Sequence, residues 1–183
     1  MARVVVITGA ARSGKSHYAQ TMAEALPGPR VFVATCPLVD EEMRERIKKH
    51  QQARSKSNWV TVEETLDLTG TLRNQAGFRL ILVDCLTLWV SNLMHRAHEH
   101  GQEVGEEEVA ESCREILEVC STIPGTVLFV TNEVGAGIVP ENPVARLYRD
   151  LVGRCNQVIA AGADQVVLMV AGLPLELKET DDL

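Results

Sequence analysis

The sequence has no surplus of positive charge. Its 18 Lys and Arg residues are outnumbered by 25 Asp and Glu residues, which gives a formal net charge of −7 at pH 7. Nucleic-acid-binding proteins ordinarily carry a basic surplus that neutralises phosphates. We therefore expect no nucleic-acid partner, and any recognition of phosphate must be local.

The sequence is also poor in paired cysteines and in long apolar runs. The cysteines are odd in number, five in all, and show no C-x-x-C spacing, which argues against a disulfide framework and against a zinc site. No segment approaches 18 uninterrupted apolar residues, and the N-terminal apolar run is too short for a signal peptide. These absences predict reduced thiols, a cytoplasmic location and no membrane span.

What the sequence does contain is a series of short apolar runs separated by helix-forming stretches. With 183 residues and a hydrophobic fraction of 45%, the chain is predicted to fold as one domain, residues 1–183. Continuous apolar strands separated by helices are typical of a parallel sheet covered on both faces. The predicted strands are residues 3–9, 30–35, 59–64, 79–84, 126–131 and 164–172.

A phosphate-binding motif follows the first predicted strand. It matches G-x-x-x-x-G-K-[ST] and consists of Gly9, Ala10, Ala11, Arg12, Ser13, Gly14, Lys15 and Ser16. Glycines allow successive backbone N–H groups to surround phosphate oxygens, and a following helix adds a favourable dipole. We expect Lys15 to contact the β- and γ-phosphates and Ser16 to bind Mg²⁺. The alternative is a chance glycine turn between a strand and a helix.

The motif predicts the fold class more closely: α/β, a P-loop NTPase-type three-layer sandwich with a mostly parallel sheet. Such a site also needs a carboxylate at the end of a neighbouring strand, to orient the water shell of the metal. Asp84 follows the apolar run Leu80–Val83 and is predicted to fill this position. Alternatively, Asp84 is an ordinary aspartate at the end of a strand.

One histidine lies in a basic stretch. In the sequence ERIKKHQQAR, a helical spacing of four residues places Arg46, His50 and Arg54 along one stripe, with Asp40 as a candidate N-cap. Flanking positive charge disfavours imidazolium, so a neutral His50 could attack phosphorus near pH 7. The alternative is a solvated basic face with an incidental histidine. An N-K-x-D guanine signature is absent, which disfavours a Ras-like switch.

A second unusual loop follows the predicted strand 126–131. Ligands of open α/β sheets bind at the carboxyl ends of strands, and here Gly135 and Gly137 permit close approach while Glu133 and Asn142 offer polar contacts. The same residues could equally form a glycine turn and the start of a helix.

Together these segments resemble the bifunctional adenosylcobinamide kinase / adenosylcobinamide-phosphate guanylyltransferase family of cobalamin biosynthesis. The resemblance rests on TGAARSGKS, on RIKKHQQAR followed by W-x-T-x-E, on LVDCLTLWVSNL, on VTNEVGAGIVPENPVARLYRD and on GRCNQVIAAGADQVVLMVAGLPLELK. They span nearly the whole chain in order. One departure is Ser55, where the family usually has proline.

The resemblance implies two reactions. ATP or GTP phosphorylates the aminopropanol hydroxyl of adenosylcobinamide, and GTP then transfers GMP through a guanylylated His50 to adenosylcobinamide phosphate. It also implies a homotrimer and a GTP site lined by Ala34, Thr35, Cys36, Gln51, Gln52, Ala53, Arg54, Glu63 and Asp84. Two rival functions are a simple P-loop small-molecule kinase with a structural His50, and a nucleotide-sensing module without turnover.

Overall fold

The computed structural model of this chain describes residues 1–37 and 58–180. Within those ranges the chain forms the strands β1 (Arg3–Gly9), β2 (Arg30–Ala34), β3 (Trp59–Glu63), β4 (Leu80–Asp84), β5 (Thr126–Val130), β6 (Gln165–Val170) and β7 (Leu173–Glu179). The helices are α1 (Lys15–Ala25), α2 (Leu68–Asn74), α3 (Leu86–Glu99), α4 (Glu106–Thr122) and α5 (Pro143–Gly162). The predicted helix with Arg46, His50 and Arg54, and its predicted cap Asp40, lie outside the described residues.

The seven strands form one sheet in the order β3-β2-β4-β5-β1-β6-β7. Strands β1 to β6 pair in parallel, and β7 pairs with β6 in the antiparallel direction. The mostly parallel sheet is therefore confirmed. The six predicted strands are also confirmed, with ends that differ from the prediction by at most two residues. Because the parallel strands run the same way, the residues that follow them meet at one edge of the sheet.

Alternating side chains of the strands pack against helices on both faces of the sheet. Val4 and Val6 of β1 belong to an apolar cluster with buried residues of α2, α3, α4 and α5. Val5 and Ile7, which point the opposite way, pack with Ala19 and Ala23 of α1. The predicted three-layer sandwich is thus confirmed. No helix within the described ranges is long and apolar enough to cross a membrane.

The segment 98–111 is polar and acidic in sequence, which predicts a surface connection that enters a helix near Glu106. Helix α4 does begin at Glu106, and the three glutamates in its first turn interact favourably with the positive end of the helix dipole. The carboxylate of Glu108 also accepts a hydrogen bond from the Gly105 N–H. The connection is shorter than predicted, however, because α3 continues to Glu99.

Strand β7 is an element that the sequence prediction missed. The run 164–172 was predicted as a single strand, but the chain turns at Ala171 and Gly172, whose φ angles are 51° and 83°. It then returns as β7, with Val170 paired to Leu173 across the turn. Pro174 lies in this strand. Proline has no backbone N–H to donate, and it is tolerated in an edge strand because the outer side of such a strand has no strand partner.

Candidate active site

The predicted phosphate loop connects β1 to α1 and turns tightly at its two motif glycines. Gly9 has a φ of 145°, and a Cβ built there would lie 2.5 Å from the Met169 carbonyl oxygen. Gly14 has a φ of 96° and is the N-cap residue of α1. Both positions favour glycine because a side chain would strain the backbone there, and at Gly9 it would also clash with β6. The motif glycines therefore serve the loop conformation, as predicted.

The loop presents unpaired polar groups at the start of α1. Gly14 supplies no side-chain cap, and the first turn of α1 contains no acidic residue, so the backbone N–H groups of that turn remain available to an anion. The Ser13 hydroxyl, in a residue that is only 6% exposed, has no hydrogen-bond partner within the described residues. A buried hydroxyl without a partner is costly, and a phosphate oxygen would satisfy it.

Lys15 is buried against the loop to which it belongs. Its Nζ donates a hydrogen bond to the Ala10 carbonyl oxygen at 2.7 Å, and the residue is 7% exposed. Burial lowers the pKa of Lys15, while the nearby Cys85 and Asp84 raise it in part. The ammonium group is thus held in the loop by one weak neutral acceptor, and a triphosphate would be a far stronger partner.

Three predicted site residues lie in one row across the sheet. Ala34 at the end of β2 pairs in register with Glu63 of β3 and with Asp84 of β4. Their neighbours Val33, Val62 and Val83 pack on the face that carries α2 to α5. By alternation, Ala34, Glu63 and Asp84 therefore face the side of α1, which begins at the phosphate loop.

The position of Asp84 differs from the prediction in one respect. Asp84 was expected on a strand next to β1, but β5 lies between β4 and β1. In register, Asp84 pairs with Val130, and Val130 pairs with Ile7. Two strand spacings, about 10 Å, therefore separate the backbones of Asp84 and β1. Asp84 still acts electrostatically on Lys15, whose pKa it raises, because both side chains lie on the side of α1.

Thr35 and Cys36 follow β2 at the same edge. The Thr35 hydroxyl donates to the Cys85 carbonyl oxygen and accepts from the Cys85 N–H, both at 2.8 Å. Asn92 donates to the Thr35 carbonyl oxygen at 2.8 Å. These bonds join the ends of β2 and β4 firmly. Cys36 is half-buried beside them. The predicted nucleotide-binding residues His50, Gln51, Gln52, Ala53 and Arg54 lie outside the described residues.

In the second predicted loop, Asn142 has a structural role, whereas Glu133 lies beside the phosphate loop. The Asn142 side chain accepts hydrogen bonds from the N–H groups of Val144 and Ala145, at 2.8 and 3.2 Å. It therefore caps α5, which contributes about 1 kcal/mol of stability. Glu133 lies instead beside the phosphate loop, since its N–H donates to the Gly9 carbonyl oxygen at 3.1 Å.

Two polar residues near Glu133 were missed by the sequence reasoning. The Thr8 hydroxyl donates to Glu133 Oε1 at 2.8 Å, and Asn156 Nδ2 donates to the same oxygen at 3.1 Å. Thr8 could have been noticed, because a hydroxyl there interrupts an otherwise apolar strand. Asn156 gave no signal, because a single asparagine in a long helix indicates no partner 23 residues away.

Nearly the whole chain is similar to a known family and to curated relatives. A family model described as cobinamide kinase / cobinamide phosphate guanyltransferase matches residues 5–177. The bifunctional adenosylcobalamin biosynthesis protein CobP of Pseudomonas aeruginosa is 40% identical over 174 residues, covering 94% of this chain and 96% of the relative. The CobU protein of Escherichia coli K12 is 36% identical over 185 aligned residues, covering 96% and 99%. That of Salmonella typhimurium is 35% identical with the same coverage.

Proposed function

This chain belongs to the cobinamide kinase / cobinamide phosphate guanyltransferase family, and we propose that a single phosphate loop serves both reactions that the family name describes. The observation that carries this proposal is the loop 9–16 itself, in which the buried Ser13 hydroxyl has no partner among the described residues and Lys15 folds back onto the loop. The family match supplies the substrates. Within the described residues, this loop is the anion site that we propose for both reactions.

In the first reaction, the aminopropanol hydroxyl of adenosylcobinamide attacks the γ-phosphorus of ATP or GTP. The loop amides and Lys15 hold the β- and γ-phosphates, and the nucleoside diphosphate leaves. Phosphoryl transfer needs mainly positioning and neutralisation of charge. The uncapped first turn of α1 and the buried Lys15 ammonium are suited to both tasks.

In the second reaction, a ring nitrogen of His50 attacks the α-phosphorus of GTP. A P–N bond forms, the bond from the α-phosphorus to the bridging oxygen breaks, and pyrophosphate leaves. A phosphate oxygen of adenosylcobinamide phosphate then attacks the same phosphorus and releases His50, giving adenosylcobinamide-GDP. We propose that the loop holds the departing pyrophosphate. In this scheme the loop binds phosphate groups in both reactions, whereas the attacked atom is the γ-phosphorus in the first and the α-phosphorus in the second.

Ser16 and Asp84 are the residues that we propose as ligands of Mg²⁺. Both offer oxygen atoms, which are the ligands that Mg²⁺ prefers. Ser16 lies in the first turn of α1, and Asp84 ends β4 on the side of the sheet that faces α1. A bound Mg²⁺ would neutralise negative charge on the phosphate oxygens.

The nucleotide itself is proposed to lie over the row that Ala34, Glu63 and Asp84 form. The proposed site also includes Thr35, Cys36 and the segment Gln51 to Arg54. Its support is the shared row and the shared face of the three strand-end residues. An acidic residue such as Glu63 could accept hydrogen bonds from ribose or base donors.

The proposed function is tested by following both products. Purified protein incubated with adenosylcobinamide, ATP, GTP and Mg²⁺ is expected to yield first adenosylcobinamide phosphate and then adenosylcobinamide-GDP, both measured by mass spectrometry. A product series that stops at the phosphate would select the simple kinase instead. Tight nucleotide binding without any modified cobinamide would select the sensing module.

The free state of all five cysteines supports the proposed cytoplasmic location.

We also propose that the protein is a homotrimer, and the structure offers one surface for this assembly. The edge of the sheet carries four apolar residues that are each more than half exposed, namely Val170, Leu173, Leu175 and Leu177; we call them the edge patch. Val170 ends β6, and the three leucines lie in β7, whose outer side has no strand partner within the described residues. Contiguous exposed apolar surface of this kind is typical of protein contacts.

Replacing Leu175 with glutamate is expected to reduce the mass in solution from that of a trimer to that of a single chain. A charge placed at 54% exposure costs little in the monomer, but it would be desolvated in a contact. Sedimentation equilibrium measures the mass. Val60→Glu, at an exposed apolar position on the opposite edge strand β3, is the matched control and should remain trimeric. A Leu175→Glu protein that stays trimeric would contradict the assignment of this surface.

A further inference from the structure

Glu133 follows β5 and lies against the end of β1, where the phosphate loop begins. Strand β5 separates β1, which leads into the loop, from β4, which ends at Asp84. After β5 ends, the chain continues to pair with β1. The Thr131 N–H donates to the Ile7 carbonyl oxygen at 3.0 Å, and the Glu133 N–H donates to the Gly9 carbonyl oxygen at 3.1 Å. Glu133 is thus bonded to the first residue of the phosphate loop.

The carboxylate of Glu133 is held in one orientation although the residue is exposed. Its Oε1 accepts hydrogen bonds from the Thr8 hydroxyl at 2.8 Å and from Asn156 Nδ2 at 3.1 Å. Asn156 is itself fixed, because its Oδ1 accepts from the Thr131 hydroxyl at 2.6 Å and its Nδ2 also donates to the Asn132 carbonyl oxygen. Both bonds that described residues donate to the carboxylate end on Oε1, so Oε2 has no partner among residues 1–37 and 58–180 and is available to a ligand there.

A fixed carboxylate beside an anion site is electrostatically unfavourable for phosphate binding alone. Two like charges near each other repel, although water that reaches the exposed Glu133 weakens that repulsion. Such a group suits a proton donor or a cation, and the residues proposed above as Mg²⁺ ligands are Ser16 and Asp84 rather than Glu133. Of the nucleophiles in the two proposed reactions, only the acceptor of the first is a hydroxyl. The histidine ring and the phosphate oxygen of the second reaction need no carboxylate to accept a hydroxyl proton.

We propose that Glu133, positioned by Thr8 and Asn156, binds and deprotonates the acceptor hydroxyl of the kinase reaction. This inference rests on the proposed function. The hydroxyl donates its hydrogen bond to Oε2, and its oxygen forms the new bond to the γ-phosphorus while the bond from that phosphorus to the bridging oxygen breaks. The proton passes to Glu133 and then to solvent. Orienting the attacking oxygen is the main contribution, since phosphoryl transfer depends chiefly on positioning.

The test compares the two half-reactions in the same variant. In Glu133→Gln, the turnover of adenosylcobinamide phosphorylation should fall about 100-fold, the lower range for loss of a general base. Guanylyl transfer from GTP to preformed adenosylcobinamide phosphate should stay within about 2-fold of wild type, because no hydroxyl reacts there. Retained guanylyl transfer also shows that the variant is folded and that its phosphate loop is intact.

Two further comparisons separate a role in positioning from a general loss of structure. Thr8→Val removes the hydroxyl that donates to Glu133 Oε1, and it should lower kinase turnover more than it raises the KM for adenosylcobinamide. Thr8→Ser keeps a hydroxyl at this position and should have the kinase turnover of the wild type. Glu141→Gln, an exposed carboxylate on the same loop, is the matched control and should leave both reactions unchanged. Equal losses of both half-reactions in Glu133→Gln, or full kinase activity, would overturn the inference. A wild-type protein without kinase activity would instead overturn the proposed function.

Discussion

Lys15→Ala is expected to lower both phosphorylation of adenosylcobinamide and guanylylation of the protein by at least 100-fold. Removing one donor that stabilises developing negative charge commonly costs on the order of 100- to 1,000-fold in rate. Lys15 is buried, and its Nζ lies in the loop at 2.7 Å from the Ala10 carbonyl oxygen. If the loop holds the β- and γ-phosphates in one reaction and the departing pyrophosphate in the other, one substitution must damage both.

Initial rates of the two half-reactions, measured separately at saturating nucleotide, test this expectation. Lys15→Met is the matched variant, because it keeps an unbranched apolar side chain in the buried site and removes only the charge. Its thermal unfolding midpoint should match that of the wild type, whereas both of its rates should fall as in Lys15→Ala. Guanylylation at the wild-type rate in either variant would contradict the shared loop and would leave the role of His50 untouched.

The lowered pKa of Lys15 predicts that the enzymatic rates depend on pH. Burial lowers the pKa of Lys15 from its ordinary value, so in the free enzyme the ammonium loses its proton at a lower pH than an exposed lysine. A bound triphosphate favours the charged form and raises that pKa again. The loss of kcat/KM at alkaline pH should therefore begin at a lower pH than the loss of kcat, since the two report free and bound enzyme respectively.

His50→Ala is expected to abolish covalent labelling of the protein by GTP that carries a labelled α-phosphate. The linkage in the wild type should be labile in acid and stable in base, as for a phosphoramidate. Phosphorylation of adenosylcobinamide should persist, because that reaction needs no covalent intermediate on the protein. His50 lies outside the described residues, so this expectation rests on the sequence context and on family membership.

A second histidine supplies the control for the labelling experiment. His95 lies on α3 with its side chain 75% exposed, and it pairs with Glu99, one turn further along the same helix. His95→Ala should be labelled as strongly as the wild type. Labelling that persists in His50→Ala would refute the assignment of the nucleophile. Loss of labelling in both variants would show that the signal does not depend on His50 specifically.

Features that depend on short-range rules could be predicted from the sequence. The phosphate loop follows from eight consecutive residues, because glycine at positions 9 and 14 permits backbone angles that other residues avoid. The parallel strands follow from continuous apolar runs, which only a sheet covered on both faces can bury. Asp84 could be identified as the end of such a run. Family membership came from the order of these segments along the chain.

Features that depend on which strands become neighbours could not be predicted in this way. The order of β4 and β5 along the chain does not reveal that β5 lies between β4 and β1 in the sheet. The prediction that the strand ending at Asp84 lies next to β1 is therefore wrong. Strand β7 was missed because its exposed leucines and its proline resemble a loop when burial is unknown. Asn142 was left undecided between a ligand contact and a helix start, and it proved to be the helix cap.

By itself, the sequence determined the fold class and the family and predicted the anion site, because each depends on residues that are close along the chain or on a pattern of apolar runs. Only the tertiary structure brought Thr8 within 2.8 Å of Glu133, across 125 residues of sequence. That contact exists because parallel pairing of β1 with β5 brings the ends of two distant strands to the same edge of the sheet. Local rules describe each strand end, but the packing of the sheet decides which ends meet.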